Sequence, residues 1–327
     1  MMKKKRFLKV AIACALLTLA PLSQAQAQAP WPSEPIKLII PFAPGGGNDG
    51  IGRLIAKQLQ ERLKTPVYVD NKAGANGTIG MSFVKRAKPD GYTIATVTTG
   101  PLDVNPALSI VPYDPAKDFT YIGPMVMFPL FLAVSTQSGI KSVEELIAKA
   151  RAEPGRVTYS SAGVGNSTHL AGVLLANITD TQMVHVPYKG TGPAAMALIG
   201  GEVTFTFGSG PSILEFVKAG RAINLGVSVI KRMPDRPDLK TVAEQGYAGF
   251  EASPWGGLVA PAGLPPEITR KLSATVQSIM EDPAFRKLVL EQGMVPIPGS
   301  DQDFEAMVSR DREKWAQVIK KANIKAE

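Results

Sequence analysis

The residues of this chain that could do chemistry lie in two glycine-rich turns, each feeding a helical pattern. The first is Pro41-Phe42-Ala43-Pro44-Gly45-Gly46-Gly47-Asn48-Asp49, after the apolar run Leu38-Ile39-Ile40. The second is Ser161-Ala162-Gly163-Val164-Gly165-Asn166-Ser167-Thr168-His169, after Val157-Thr158-Tyr159-Ser160. A helix start presents unpaired backbone N–H groups and a partial positive charge. Glycine lets an anion come close to that backbone. The chemistry on offer is capture of an anion by main chain and hydroxyls rather than by lysine or arginine. Asp49, just ahead of the apolar positions Ile51, Leu54, Ile55 and Leu59, reads as a helix N-cap. A bare carboxylate would repel an anion, so any contact there runs through the Asp49 backbone N–H.

Catalytic readings compete with this one. Gly45-x-Gly47-x-x-Gly50 matches the dinucleotide fingerprint, and Asp70 follows Gly50 by 20 residues, after Val67-Tyr68-Val69. Pro41 and Pro44 oppose that reading, because they fix φ in a turn that must be tight. A secreted serine hydrolase would need a nucleophile, a base and an orienting group. No Gly-x-Ser-x-Gly elbow occurs, and Ser167 and His169 are too close in sequence to make a triad by themselves. A secreted α/β enzyme using the Gly45–Gly50 loop is therefore the alternative, and a non-enzyme is the main expectation. His169 and His185 stand far apart in sequence, and Cys14 is the single cysteine, so neither a metal site nor a cofactor is expected.

These turns need elements to hold them. Residues 36–100 read as β-α-β-α-β, ending in Tyr92-Thr93-Ile94-Ala95-Thr96-Val97 and Thr98-Thr99. That order implies a parallel, doubly wound sheet with ligands beyond the carboxyl ends of the strands. Met125–Val134, nearly all apolar, reads as one strand leaving this unit. A second α/β run follows to about Val229, and Trp255–Ala260 reads as a return strand. The chain ends in helices over 266–280, 283–292 and 302–323. On the last, Phe304, Met307, Val308, Trp315, Val318 and Ile319 form an apolar stripe read as core packing.

Residues 1–29 read as a secretory signal: a basic end at Lys3–Arg6, an apolar core over 10–22, and small-x-small sites at Ala25–Ala29. Without them 31 basic residues face 28 acidic ones, a balance of +3 that gives no reason to expect a nucleic-acid partner.

Several motifs together resemble one family. They are Pro41–Asp49, Asp90-Gly91-Tyr92, Asn105-Pro106, Tyr113-Asp114-Pro115-x-x-Asp118-Phe119, Tyr159–Gly165, His169-Leu170-Ala171-Gly172, His185-Val186-Pro187-Tyr188-Lys189-Gly190 and Pro261-Ala262-Gly263. Their number and order resemble the Bug-type extracytoplasmic solute-binding proteins of tripartite tricarboxylate transporters, over essentially the whole chain after residue 29.

The resemblance implies a type II periplasmic binding protein, α/β, with two doubly wound lobes joined by two crossover strands and a cleft between them. Residues 30–128 plus 251–327 would form lobe 1 and 129–250 lobe 2. It implies a periplasmic receptor, monomeric, that binds a small carboxylate (a di- or tricarboxylate or an aromatic acid) and delivers it to membrane permease subunits. The implied ligand-binding set is Phe42, Pro44, Gly45, Gly46, Asn48, Asp49, Thr98, Ser161, Ala162, Gly165, Asn166, Ser167, His169, Tyr188 and Gly208. Ser167 could cap its helix or bind, and His169 could orient its loop or touch the ligand. Two departures stand out. Asn48 replaces a frequent threonine or serine, and Gly208-Ser209 stands where many members carry an aspartate. Lacking that acid, the cleft should disfavour an amino acid and leave room for a less polar tail.

Overall fold

The computed structural model describes residues 31–42, 44, 47–188, 190–322 and 324. The expected signal segment and the expected binding residues Gly45 and Gly46 lie outside them. Strand β1 (Ile36–Ile40) leads through the first glycine turn into helix α1 (Gly47–Leu63). Strand β2 (Val67–Asn71), helix α2 (Thr78–Lys85) and strand β3 (Thr93–Thr98) follow. β1 pairs in parallel with both β2 and β3, as the β-α-β order requires. Ile36 and Leu38 enter the core on one face of the sheet and Ile39 the core on the other, so both faces are covered.

After β3 the backbone coils through a π-helical turn, Gly100–Val104, into a short helix α3 (Asn105–Leu108). Neither was anticipated, because Pro101 and Pro106 look like helix breakers; each instead sits in the first turn of its segment, where a missing N–H costs nothing.

The apolar run 125–134 is two strands rather than one. β4 (Phe119–Met127) belongs to the first sheet and β5 (Leu130–Ser135) to a second, with Phe128-Pro129 between them. Pro129 has no N–H to give to a sheet, and the chain changes sheets there. The second unit continues with α4 (Val143–Ala152), β6 (Thr158–Ser161), α5 (Ser167–Thr179), β7 (Val184–Pro187), α6 (Thr191–Ile199), β8 (Phe205–Ser209), α7 (Gly210–Lys218) and β9 (Ala222–Val227). Its sheet order is β7-β6-β8-β5-β9, with β5 antiparallel to both neighbours. Leu130, Leu132 and Val134 face one core of this unit, while Phe131 and Ala133 face the other.

The return strand β10 (Trp255–Pro261) inserts antiparallel between β3 and β4. Helices α8 (Pro266–Glu281) and α9 (Pro283–Glu291), strand β11 (Val295–Pro296) and helix α10 (Asp301–Lys321) complete the chain. The first sheet thus runs β11-β4-β10-β3-β1-β2.

The two crossings run side by side. Phe128 N donates to the Pro254 carbonyl at 2.7 Å, and the Ser228 and Ser253 hydroxyls meet at 2.6 Å beneath Leu130, whose N–H donates to Ser228 Oγ. Helix α10 is a third tie. Its Phe304 and Val308 belong to the core of the first unit; its Trp315 and Ile319 belong to the core of the second. The stripe read as core packing therefore packs into two cores.

Candidate functional site

The first turn places the start of α1 at the carboxyl end of β1. α1 begins at Gly47, so Asp49 is the third residue of the helix rather than its N-cap. Its buried carboxylate accepts from Arg53 Nε (2.9 Å) and Asn71 Nδ2 (2.9 Å). Asn71 also donates to the Phe42 carbonyl at 2.9 Å, so Asp49 and Asn71 together fasten the turn. Asn48 is buried: its Oδ1 accepts the Thr96 hydroxyl at 2.6 Å, and its Nδ2 has no hydrogen-bond partner among the described residues.

The second turn is built differently. Asn166, not Ser167, caps α5, its Oδ1 accepting from Thr168 N at 3.1 Å and from the Thr168 hydroxyl at 3.0 Å. Gly165 adopts a left-handed φ of 72°, which suits glycine. Its N–H donates to His169 Nδ1 at 3.1 Å, so the histidine orients the loop from inside the helix. Ser161 is fully buried, and its hydroxyl is engaged with His185 Nε2 at 2.6 Å and with the Gly163 backbone. The two histidines, distant in sequence, stack with ring centroids 3.8 Å apart. Parallel pairing of β6 and β7 sets Tyr159 beside His185, and His169 lies one turn into α5. Burial lowers both imidazole pKa values to about 4, with the neighbouring ring adding to the effect on His169. Both rings are neutral at pH 7. Among the described residues no group of three or more histidine, cysteine or acidic side chains could hold a metal.

A cleft of about 250 Å³ opens between the two units. From the first come Phe42, Gly47, Asn48, Asn76, Thr98, Thr99, Gly100 and Val104; from the second Gly165, Asn166, Ser167, Thr168, Leu170, Thr191 and Ser209. The crossings add Phe128, Leu130 and Pro254, and α10 adds Trp315. Of the expected site residues, Phe42, Asn48, Thr98, Gly165, Asn166 and Ser167 therefore meet on one cavity.

Pro44, Asp49, Ser161, Ala162, His169, Tyr188 and Gly208 do not border it. Tyr188 donates its hydroxyl to Glu202 Oε2 at 2.8 Å instead. Gly208 faces the protein, and a Cβ there would lie 2.4 Å from Ile213 Cγ1. Successive residues of a strand face opposite ways, and it is Ser209 that reaches the cleft.

Asn76 was missed. It lies in a left-handed pair with Ala75 (φ 47° and 46°), held by Asn105, whose Nδ2 donates to the Asn76 carbonyl at 3.1 Å. Asn105 accepts from Asn76 Nδ2 at 2.8 Å, which gives the Asn105-Pro106 motif its role. Asp70, the acid of the dinucleotide reading, is ion-paired with Lys72 at 3.1 Å.

Residues 51–324 match the model of the tripartite tricarboxylate transporter family receptor. BugT of Bordetella pertussis is 32% identical over 299 residues, covering 90% of this chain and 91% of that protein. The structure of Rhodopseudomonas palustris Rpa4515 with adipate is 33% identical, with a TM-score of 0.80, covering 90% of this chain and 99% of that one. MatC of the same organism, with bound malate, is 27% identical, with a TM-score of 0.74, covering 88% and 100%.

Proposed function

We propose a function from an established premise: the chain belongs to the tripartite tricarboxylate transporter receptor family. It acts as a monomeric periplasmic receptor that captures a small carboxylate in the interlobe cleft and hands it to the membrane permease subunits of such a transporter. One observation carries this reading. Two helix starts, α1 at Gly47-Asn48 and α5 at Asn166-Ser167, come from different units and border one cavity. Each offers free N–H groups to an anion. The relatives holding adipate and malate support the ligand class.

Residues 30–128 plus 251–327 form lobe 1 and 129–250 lobe 2, hinged at Phe128–Leu130 and Ser253–Trp255. A carboxylate touching both helix starts favours the closed arrangement by its extra contacts there. Asn48, Thr98, Asn166, Ser167 and Phe42 contact the ligand, joined by Ser209. Pro44, Asp49, Ala162 and Gly165 shape the turns. The protein performs no chemistry on its cargo and uses no cofactor. The leader-like residues 1–29 support export.

Mass spectrometry of ligand released from the purified protein, followed by calorimetry with adipate, malate and benzoate, tests the proposal. A recovered or titrated carboxylate is expected. Recovery of a nucleotide, or no binding of any carboxylate, would end it.

A further inference from the structure

The walls of the cleft narrow its cargo further. Four of its bordering residues, Val104, Leu130, Leu170 and Trp315, belong to one continuous buried core, each at most 3% exposed. They form an apolar wall contributed by four elements: the π-helical turn, β5, α5 and α10. Phe42 and Phe128 add two aromatic rings to the border. Among the described lining residues there is no lysine, arginine or histidine. The polar groups are amides, hydroxyls and the two helix starts.

Resting on the carboxylate-receptor reading, we infer that the cleft takes an acid with one charged end and an uncharged, apolar body the size of a single ring or short chain. One carboxylate meets the helix starts. A second would be pressed toward the apolar wall with no cation among the described lining residues to face it, and an unpaired buried charge is strongly disfavoured. An ammonium group finds no acid among the described lining residues. The place where an aspartate could project from residue 208 is filled by Ile213. A volume of about 250 Å³ falls below the usual range for ligand pockets, which favours a body of one ring or its aliphatic equivalent. Trp315 gives that body a flat partner. Its indole N–H has no hydrogen-bond partner among the described residues and can serve one neutral acceptor on the cargo. Trp315 is thus a specificity-determining residue supplied by the last helix.

The test is isothermal calorimetry on the full mature chain with benzoate, phenylacetate and hexanoate against adipate, malate and glutamate, with tryptophan fluorescence followed in parallel. At least one of the first three should bind tenfold or more tighter than every one of the second three, and should change the emission. Trp315→Phe, which keeps an aromatic body but loses the N–H and part of the flat surface, should weaken that acid severalfold while malate stays unchanged. Adipate or malate binding as tightly as the best monocarboxylate would overturn the inference and leave the receptor reading standing. Failure of all six acids would remove both. The wild-type selectivity is decisive even if the substituted chain does not fold.

Discussion

The imidazoles of His169 and His185 lie 3.8 Å apart and 18° from parallel, with the Tyr159 ring nearly parallel to His169 and tilted against His185. Through Gly165 N–H on one ring and the Ser161 hydroxyl on the other, this neutral pair holds the shape of the second turn. Its pH dependence follows. Both groups titrate near 4 in the folded chain, against about 6.5 when unfolded. As pH falls from 6.5 toward 4, the unfolded chain takes up protons that the folded one refuses, so stability declines across that window. Below 4 these two groups add no further loss. Urea unfolding at pH 7, 5.5 and 4.5 should show the decline, and His185→Gln should flatten it. Equal slopes for both proteins would refute this account.

Asp103 behaves in the opposite sense. Its carboxylate is fully buried in the π-helical turn, faces the Trp255 side chain, and lies near Asp311, Arg312 and Lys314. Burial first, and the Asp311 charge second, push its pKa well above the ordinary aspartate value. Stability from this group is present at low pH and falls as pH rises above the unfolded value. Asp103→Asn should therefore melt higher than the natural protein at pH 7, and the advantage should shrink toward pH 4. A lower melting temperature at pH 7 would count against it.

Asn48 and Ser161, both in the expected binding set, play different parts, because the Ser161 hydroxyl serves its loop rather than the cleft. Asn48→Ala removes an amide that borders the cavity with its Nδ2 unused. It should weaken the carboxylate that binds the wild type by about tenfold or more. Ser161→Ala should cost about 1 kcal/mol of stability and weaken binding less. Calorimetry and denaturant melts on the two variants distinguish the roles, and equal affinity losses would contradict them.

Gly257 on β10 lies under the Phe304 ring of α10, and a Cβ there would sit 2.1 Å from Phe304 Cζ. Gly257→Ala should destabilise the fold by about 1–3 kcal/mol through overpacking. Adding Phe304→Leu should recover part of it in a double-mutant cycle. Independent, additive losses would mean the two residues do not press on each other.

Much of the fold was legible because it is written in short apolar runs and helix-start signals. β1, β3, the return strand and the terminal helices fall within a few residues of their expected places. The break at Phe128-Pro129 was not legible, since an apolar run with one proline reads alike whether it serves one sheet or two. In the site, composition located both turns but could not say which way a side chain points. Asp49 and Ser161 are spent on their own loops, and Gly208 was chosen where its neighbour Ser209 faces the cavity. Asn76 and Thr191 stand in glycine turns at the starts of α2 and α6 that were not read as part of the site, and Trp315 comes from a helix with no anion-binding signature, so folding is what brings the three together at the cleft.

Helix α10 carries a consequence for how the two halves share their stability. Both hydrophobic interiors need it: Phe304 seals one, Trp315 the other. In chain order its 21 residues follow every named strand of both sheets. One rod of backbone is thus a common clasp, and loosening it at either end would uncover apolar surface in the half that end serves.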